Sequence, residues 1–255
     1  VRKFTIIWLG QFLSLTGSAM TRFVLAIWIW DQTGRATALV LVGVFAGLAF
    51  LLGNIAAGPL IDRFSRKRVI ILSDMLVGLT TIALLILALL GGLQAWHIYL
   101  SAFFSGIFGT FHYLAFSASI TLLVSSEHYT RANSMMSLAR YAATIGAPAL
   151  AGILIAPLGI VGVMLIDILT LIAAVGTILK THIPQVHDQE ARTESGWRSA
   201  THGFRYIFSR PPLRSLMLIL FVFLLSESFG YPLITPMILA RTGGDEVLSL
   251  IHISE

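Results

Sequence analysis
The chain has 255 residues, of which 56% are hydrophobic and 11% charged, with a net charge of +5 and no cysteine. Its mean hydropathy of +0.87 exceeds what a water-soluble fold of this length could bury, so much of its surface must meet lipid. Absent cysteine excludes disulfides and thiolate metal sites, and the dispersed histidines offer no ligand spacing, so neither a metal nor a cofactor is expected.

Seven apolar runs reach the roughly 20 helical residues that a hydrocarbon core requires. They fall near 4–30, 38–61, 69–90, 97–122, 135–156, 160–179 and 215–239. Unbroken Leu, Ile, Val and Ala runs, rather than short alternating strands, predict an all-α membrane bundle whose helices satisfy their own backbone.

The first span is too long, and too closely followed by a second, to be a cleaved signal peptide, so it reads as an anchor. Gln11, Ser14, Ser18 and Arg22 recur along it at intervals of three or four and share one face. Between spans two and three, residues 58–68 read GPLIDRFSRKR, a polar clasp of Gly58, Asp62, Arg63, Arg66, Lys67 and Arg68 in a loop too short to fold by itself. The third span carries Asp74. The fourth repeats Ser101, Ser105, Gly109 and His112 on one face, a pattern that either lines a water-filled path or simply packs small residues. The fifth holds Arg140 and the trio Gly146, Pro148 and Gly152, from which a kink at Pro148 is expected. The sixth holds Asp167. Charged side chains at a span centre cost roughly 2.5–3.5 kcal/mol on insertion scales, so each is expected to be functional or paired.

A polar segment follows at 181–212. Trp197, Ala200, Phe204, Ile207 and Phe208 recur at helical spacing opposite Arg198, His202 and Arg205, which predicts a helix lying on the membrane surface and ended by Arg210-Pro211-Pro212. The seventh span places Glu227 near its middle, between Ser226 and Ser228, where a carboxyl could exchange protons with one side of the membrane at a time. The last residues, LSLIHISE at 248–255, match the translation of a transposase end used in sequencing libraries, so natural sequence is expected only as far as Val247. The resulting organisation is 1–180 as a six-helix bundle, 181–212 as linker, 213–247 as the first helix of a further half, and 248–255 as adapter.

Threading the spans alternately through a bilayer puts Arg2, Lys3, Arg63, Arg66, Lys67, Arg68, Arg131, Lys180, Arg192, Arg198, Arg205, Arg210 and Arg214 on one side and only Arg35 and Arg241 on the other. The amino terminus is therefore expected to be cytoplasmic, and this asymmetry accounts for the basic charge without a nucleic-acid partner. VIILSD ending at Asp74 and VMLID ending at Asp167 hint at two three-helix repeats inserted in opposite senses, a device of transporters.

The clasp, with Gly58, then Asp62-Arg63, then Arg66, Lys67 and Arg68, resembles the signature loop of the major facilitator superfamily, with Ser65 standing where a glycine is usual. WLGQFLSLTGSAMTRF, TRANSMMSLARYAATIGAPALAG and GVMLIDILTLIAA are similar to the drug:proton antiporter branch that includes macrolide and enterobactin exporters. The resemblance covers about 4–247 and implies the amino-terminal half of a two-half transporter plus one span, with the carboxy-terminal half missing. It implies that the clasp gates the two halves. It also implies that spans one, four and seven line a central cavity, which makes Gln11, Arg22, His112 and Glu227 candidates for substrate or proton contact. Asp74 and Arg140 are then expected in a network with the clasp, and Asp167 opposite Arg22 as a structural pair. Gly146, Pro148 and Gly152 partly resemble the antiporter signature, although Ala147 separates the usual adjacent Gly-Pro.

The implied function is proton-coupled efflux of amphipathic drugs or siderophore-like molecules across the plasma (inner) membrane. Small-molecule substrate, protons and lipid are the expected partners. A lipid or nutrient facilitator of the same fold, or a non-transporting membrane module, remains the alternative. No nucleophile and base stand together in the spans, so an enzyme is not expected.

Overall fold
The computed structural model describes residues 2–181, 205–223 and 226, and at 2–3, 58–60 and 62–63 the backbone only. The described residues are helical apart from short turns: α1 (Arg2–Thr33), α2 (Ala36–Arg63), α3 (Arg66–Leu89), α4 (Ala95–Leu123), a 3-10 turn (Ser126–His128) and α5 (Tyr129–Lys180). A shorter apolar helix, α6, occupies Pro211–Phe223. Its first residue is a proline, which lacks a donor that a first helical turn does not use.

Helix ends of the first four spans lie within a few residues of the expected limits, the fifth starts six residues early at Tyr129, and most of the seventh, expected at 215–239, lies outside the described residues beyond Phe223. Expected spans five and six are the two arms of α5. Its 52 residues would reach about 78 Å if straight. Yet the indole of Trp8 donates to the Met135 carbonyl at 2.8 Å, while Gly10 meets Ala174 and Thr177. Both ends of α5 therefore touch the same end of α1, and the helix folds back as a hairpin. The turn is Gly159, with φ 64° and ψ −177°, a conformation closed to side chains with a Cβ. The one non-helical pair of dihedrals inside α5 is that of Gly159, and the dihedrals stay helical through Gly146, Pro148 and Gly152, where the kink was expected. Losing one hydrogen bond at Pro148 does not unseat an arm whose Ala139, Ala143, Ala147 and Ala151 form a buried stripe.

α1 is the central strut. It packs along both arms of α5, α2 leans on α4, and α3 bridges α4 and α5. At one end Phe4, Ile7, Val69, Ile70, Phe116, Ile120 and Ile178 bury one another. At the other, Leu25, Ile29, Leu84, Leu85, Ile98 and Met164 do the same. The first is the end that carries Arg66, Lys67 and Arg68, and it is called the basic end below.

Small residues let the helices close. Gly17 faces Thr170 and Asp167, Gly53 faces Thr110, and Gly106 faces Ala49. Between helices in lipid, where burial of apolar surface drives little, such close van der Waals approach is the main source of cohesion.

Candidate functional site
The polar face of α1 is where the buried ionisable groups converge. Asp74, from α3, is 6% exposed and Gln11 8% exposed, and Gln11 Nε2 donates to Asp74 Oδ2 at 3.2 Å. From α4, His112 Nδ1 lies 2.7 Å from Asp74 Oδ1, within ion-pairing range although its N–H points off that line. Three helices thus share one carboxylate. His112 also packs its ring against Phe116.

Seven residues further along α1, about 10 Å, a second carboxylate occupies the same face. Asp167, from the second arm of α5, is 3% exposed. Ser18 Oγ donates to its Oδ1 at 2.8 Å, and Thr81 Oγ1 of α3 donates to its Oδ2 at 3.3 Å. The two acids paired by the sequence repeat therefore both hang from α1, Asp74 through Gln11 and Asp167 through Ser18. Thr81 follows Asp74 by seven residues on α3, a spacing that could have marked it, but the pairing itself needs the tertiary structure.

Arg22 stands at the exposed surface and acts on Asp167 electrostatically without a direct ion pair. Hydroxyl donors from Ser18 and Thr81 make the direct contacts to Asp167, with Arg22 acting through space. Arg140, expected in a network with Asp74 and the clasp, instead places its guanidinium over the ring of Tyr113 on α4, 4.4 Å from the centroid. Asp74 finds its partners in Gln11 and His112. Among the described residues His112–Asp74 is the one ion-pair contact.

The clasp cations act at the basic end. Arg66 Nη1 donates to the Ala118 carbonyl of α4 at 2.5 Å. Lys67 Nζ donates to Leu179 and Thr181 carbonyls at 3.0 and 2.8 Å, where α5 ends. A cation at a helix carboxyl end meets unpaired carbonyls and the negative end of the dipole. Arg68 is exposed. Gly58, Asp62 and Arg63 lie on the last turns of α2, their side chains outside the described set. Glu227, most of the 181–212 linker and the 248–255 tail fall outside the described residues.

Such an arrangement can change charge without covalent chemistry. Each buried acid meets polar side chains from two other helices, so adding or removing a proton alters the force between helices rather than the structure of any one of them.

The Major Facilitator Superfamily family model matches residues 7–253. Macrolide efflux protein A of Streptococcus pyogenes is 27% identical over 218 residues, 85% of this chain and 54% of that protein. Enterobactin exporter EntS of Shigella flexneri is 25% identical over 221 residues, 84% of this chain and 52% of the exporter. Multidrug efflux pump Tap of Mycolicibacterium fortuitum is 25% identical over 218 residues, 82% of this chain and 53% of the pump. The chain spans about half the length of the curated relatives it matches.

Proposed function
The chain belongs to the major facilitator superfamily, and from that premise we propose that the complete protein exports amphipathic drugs or siderophore-like molecules by alternating access, driven by proton entry. The observation that carries this reading is the polar seam on α1. A passive scaffold has no use for two carboxylates buried in its spans, each costing roughly 2.5–3.5 kcal/mol to insert. The direction of transport is taken from the exporters it resembles.

In this reading the amino terminus is cytoplasmic and the membrane is the inner one. The clasp of Gly58, Asp62, Arg63, Arg66, Lys67 and Arg68 meets the other half and favours the outward-facing state. Gln11, Arg22, His112 and Glu227 border the path of substrate and proton. The exposed apolar faces of α2 (Leu41, Val44, Leu48) and of the first arm of α5 (Leu138, Ile145, Ile153) are covered by lipid or by the remaining half.

The test is accumulation of a radiolabelled macrolide by inverted vesicles holding the full-length protein, with and without an imposed pH gradient. Gradient-driven accumulation supports proton-coupled export, and its absence refutes the coupling. Undiminished accumulation by Glu227→Gln removes that residue from the proton path.

A further inference from the structure
We infer that Asp74 and His112 form a shared proton-binding pair whose state sets how firmly α4 is held against α1 and α3. This rests on the proton-coupled reading above, and adds a site within the first six spans that is separate from Glu227.

Three observations meet at the pair. His112 Nδ1 is 2.7 Å from Asp74 Oδ1, and the second carboxylate oxygen is already taken by Gln11, so the imidazole faces a carboxylate with little freedom to turn away. The side chains are unequally covered, 19% exposed for His112 and 8% for Asp74, so the imidazole is the more open side of the pair. The pair also spans a helix boundary, because α3 and α4 are joined at this level by these two side chains and by packing, with no backbone hydrogen bond between them.

Few other charges compete. α1 offers Gln11 here; its cations are Arg2 and Lys3, nine and eight residues towards the basic end, and Arg22, eleven residues the other way and coupled to Asp167. On α3, Arg66, Lys67 and Arg68 are eight, seven and six residues off; Arg66 is engaged by the Ala118 carbonyl, Lys67 by those of Leu179 and Thr181, and Arg68 is exposed at the basic end. On α4, the neighbouring Tyr113 lies under Arg140 of α5. Asp62 and Arg63 of α2 belong to its last turn at the basic end. Asp167, the other buried acid, lies two helical turns along α1 and has its own hydroxyl donors. The charge that His112 meets is therefore that of Asp74.

The step is a simple exchange. A proton from water adds to the imidazole, giving an imidazolium beside a carboxylate, and returns to water when it leaves; no other bond forms or breaks. With the proton bound, opposite charges draw α4 towards α3. Without it, a neutral ring faces a carboxylate held by Gln11 alone, and that attraction is lost. A movement of α4 relative to α1 is thereby linked to proton occupancy, which is the differential interaction that any coupled conformational change requires.

Two measurements on the full-length protein test this. In detergent, infrared titration should show a carboxyl band that disappears in Asp74→Asn and moves along the pH axis in His112→Gln. A band unmoved by His112→Gln, or unaffected by Asp74→Asn, overturns the shared pair. In proteoliposomes, His112→Gln and Asp74→Asn/His112→Gln should lose macrolide transport driven by a pH gradient while keeping macrolide exchange between two equal pools. Retained gradient-driven transport in these variants overturns the inference and leaves the coupled reading standing. A wild-type protein that shows the paired infrared titration without gradient-driven transport would instead uphold the pair and refute the coupling.

Discussion
Replacing Gly17 by alanine probes the contact that holds the upper carboxylate in place. A Cβ there would sit 2.5 Å from Thr170 Oγ1 and 3.0 Å from the Asp167 Cα, against 3.4 Å for ordinary contact. The hydroxyl has little room to yield, because it belongs to a β-branched side chain and donates to the Asp167 carbonyl at 2.8 Å. The Cα cannot rotate away at all. α1 and the second arm of α5 must then separate by about 0.4 Å, the gap between those two distances, which also stretches the 2.8 Å Ser18–Asp167 bond. Overpacking of this kind costs about 1–3 kcal/mol. Alanine returns up to about 1 kcal/mol of helix propensity, so we expect a net loss of about 1 kcal/mol. Gly176, on the same arm, has nothing within 4 Å of its Cβ position, and Gly176→Ala should be neutral or gain up to about 1 kcal/mol. Both variants of the full-length protein are compared in one detergent by reversible unfolding, followed by tryptophan fluorescence. Gly17→Ala as stable as Gly176→Ala would refute the close approach of these two helices.

The hairpin in α5 has a direct test in a chain that lacks cysteine. Gly10→Cys/Thr177→Cys should cross-link under mild oxidation and Trp8→Cys/Met135→Cys with a bifunctional thiol reagent of indole length, and a straight α5 would allow at most one of them. Gly159→Ala forces a Cβ into a φ of 64° and should cost about 1–3 kcal/mol in the same unfolding assay; no loss would mean that the turn lies elsewhere. Lys67→Met removes the donor to Leu179 and Thr181 and should cost about 1 kcal/mol, a loss that high salt should reproduce in part in the parent.

Much of the fold was legible because the dominant signal, an apolar run of membrane length, is local. The spans, the polar face of Gln11, Ser14, Ser18 and Arg22, and the likeness of Asp74 to Asp167 all follow from spacing along one helix. What could not be read was which neighbour each face meets. Periodicity assigns Asp74 to a side of α3, yet only the way three helices cross brings Gln11 and His112 to it. The same limit hid Ser18 and Thr81 as the partners of Asp167, and sent Arg140 towards the clasp when its partner is Tyr113. Gly10 and Gly17 carry no sign of their own that a backbone passes within contact distance. Proline was the louder signal and Gly159 the stronger break, because a missing hydrogen bond can be tolerated where a backbone turn of the wrong hand cannot.

The tight turn at Gly159 bears on how the protein enters its membrane. From Ile145 to Ile166 the chain has no charged or hydroxyl-bearing residue, so nothing polar separates the two arms of α5. A span followed by a hydrophilic loop can be released into lipid and wait for its successor, since the loop must be carried across separately. Here there is no such cargo. The arms would leave the insertion machinery as one hairpin, with Asp167 then received by Ser18 and Thr81 of helices already in place. Order of synthesis and order of packing coincide: the fifth and sixth spans are delivered together onto a strut that was laid down first.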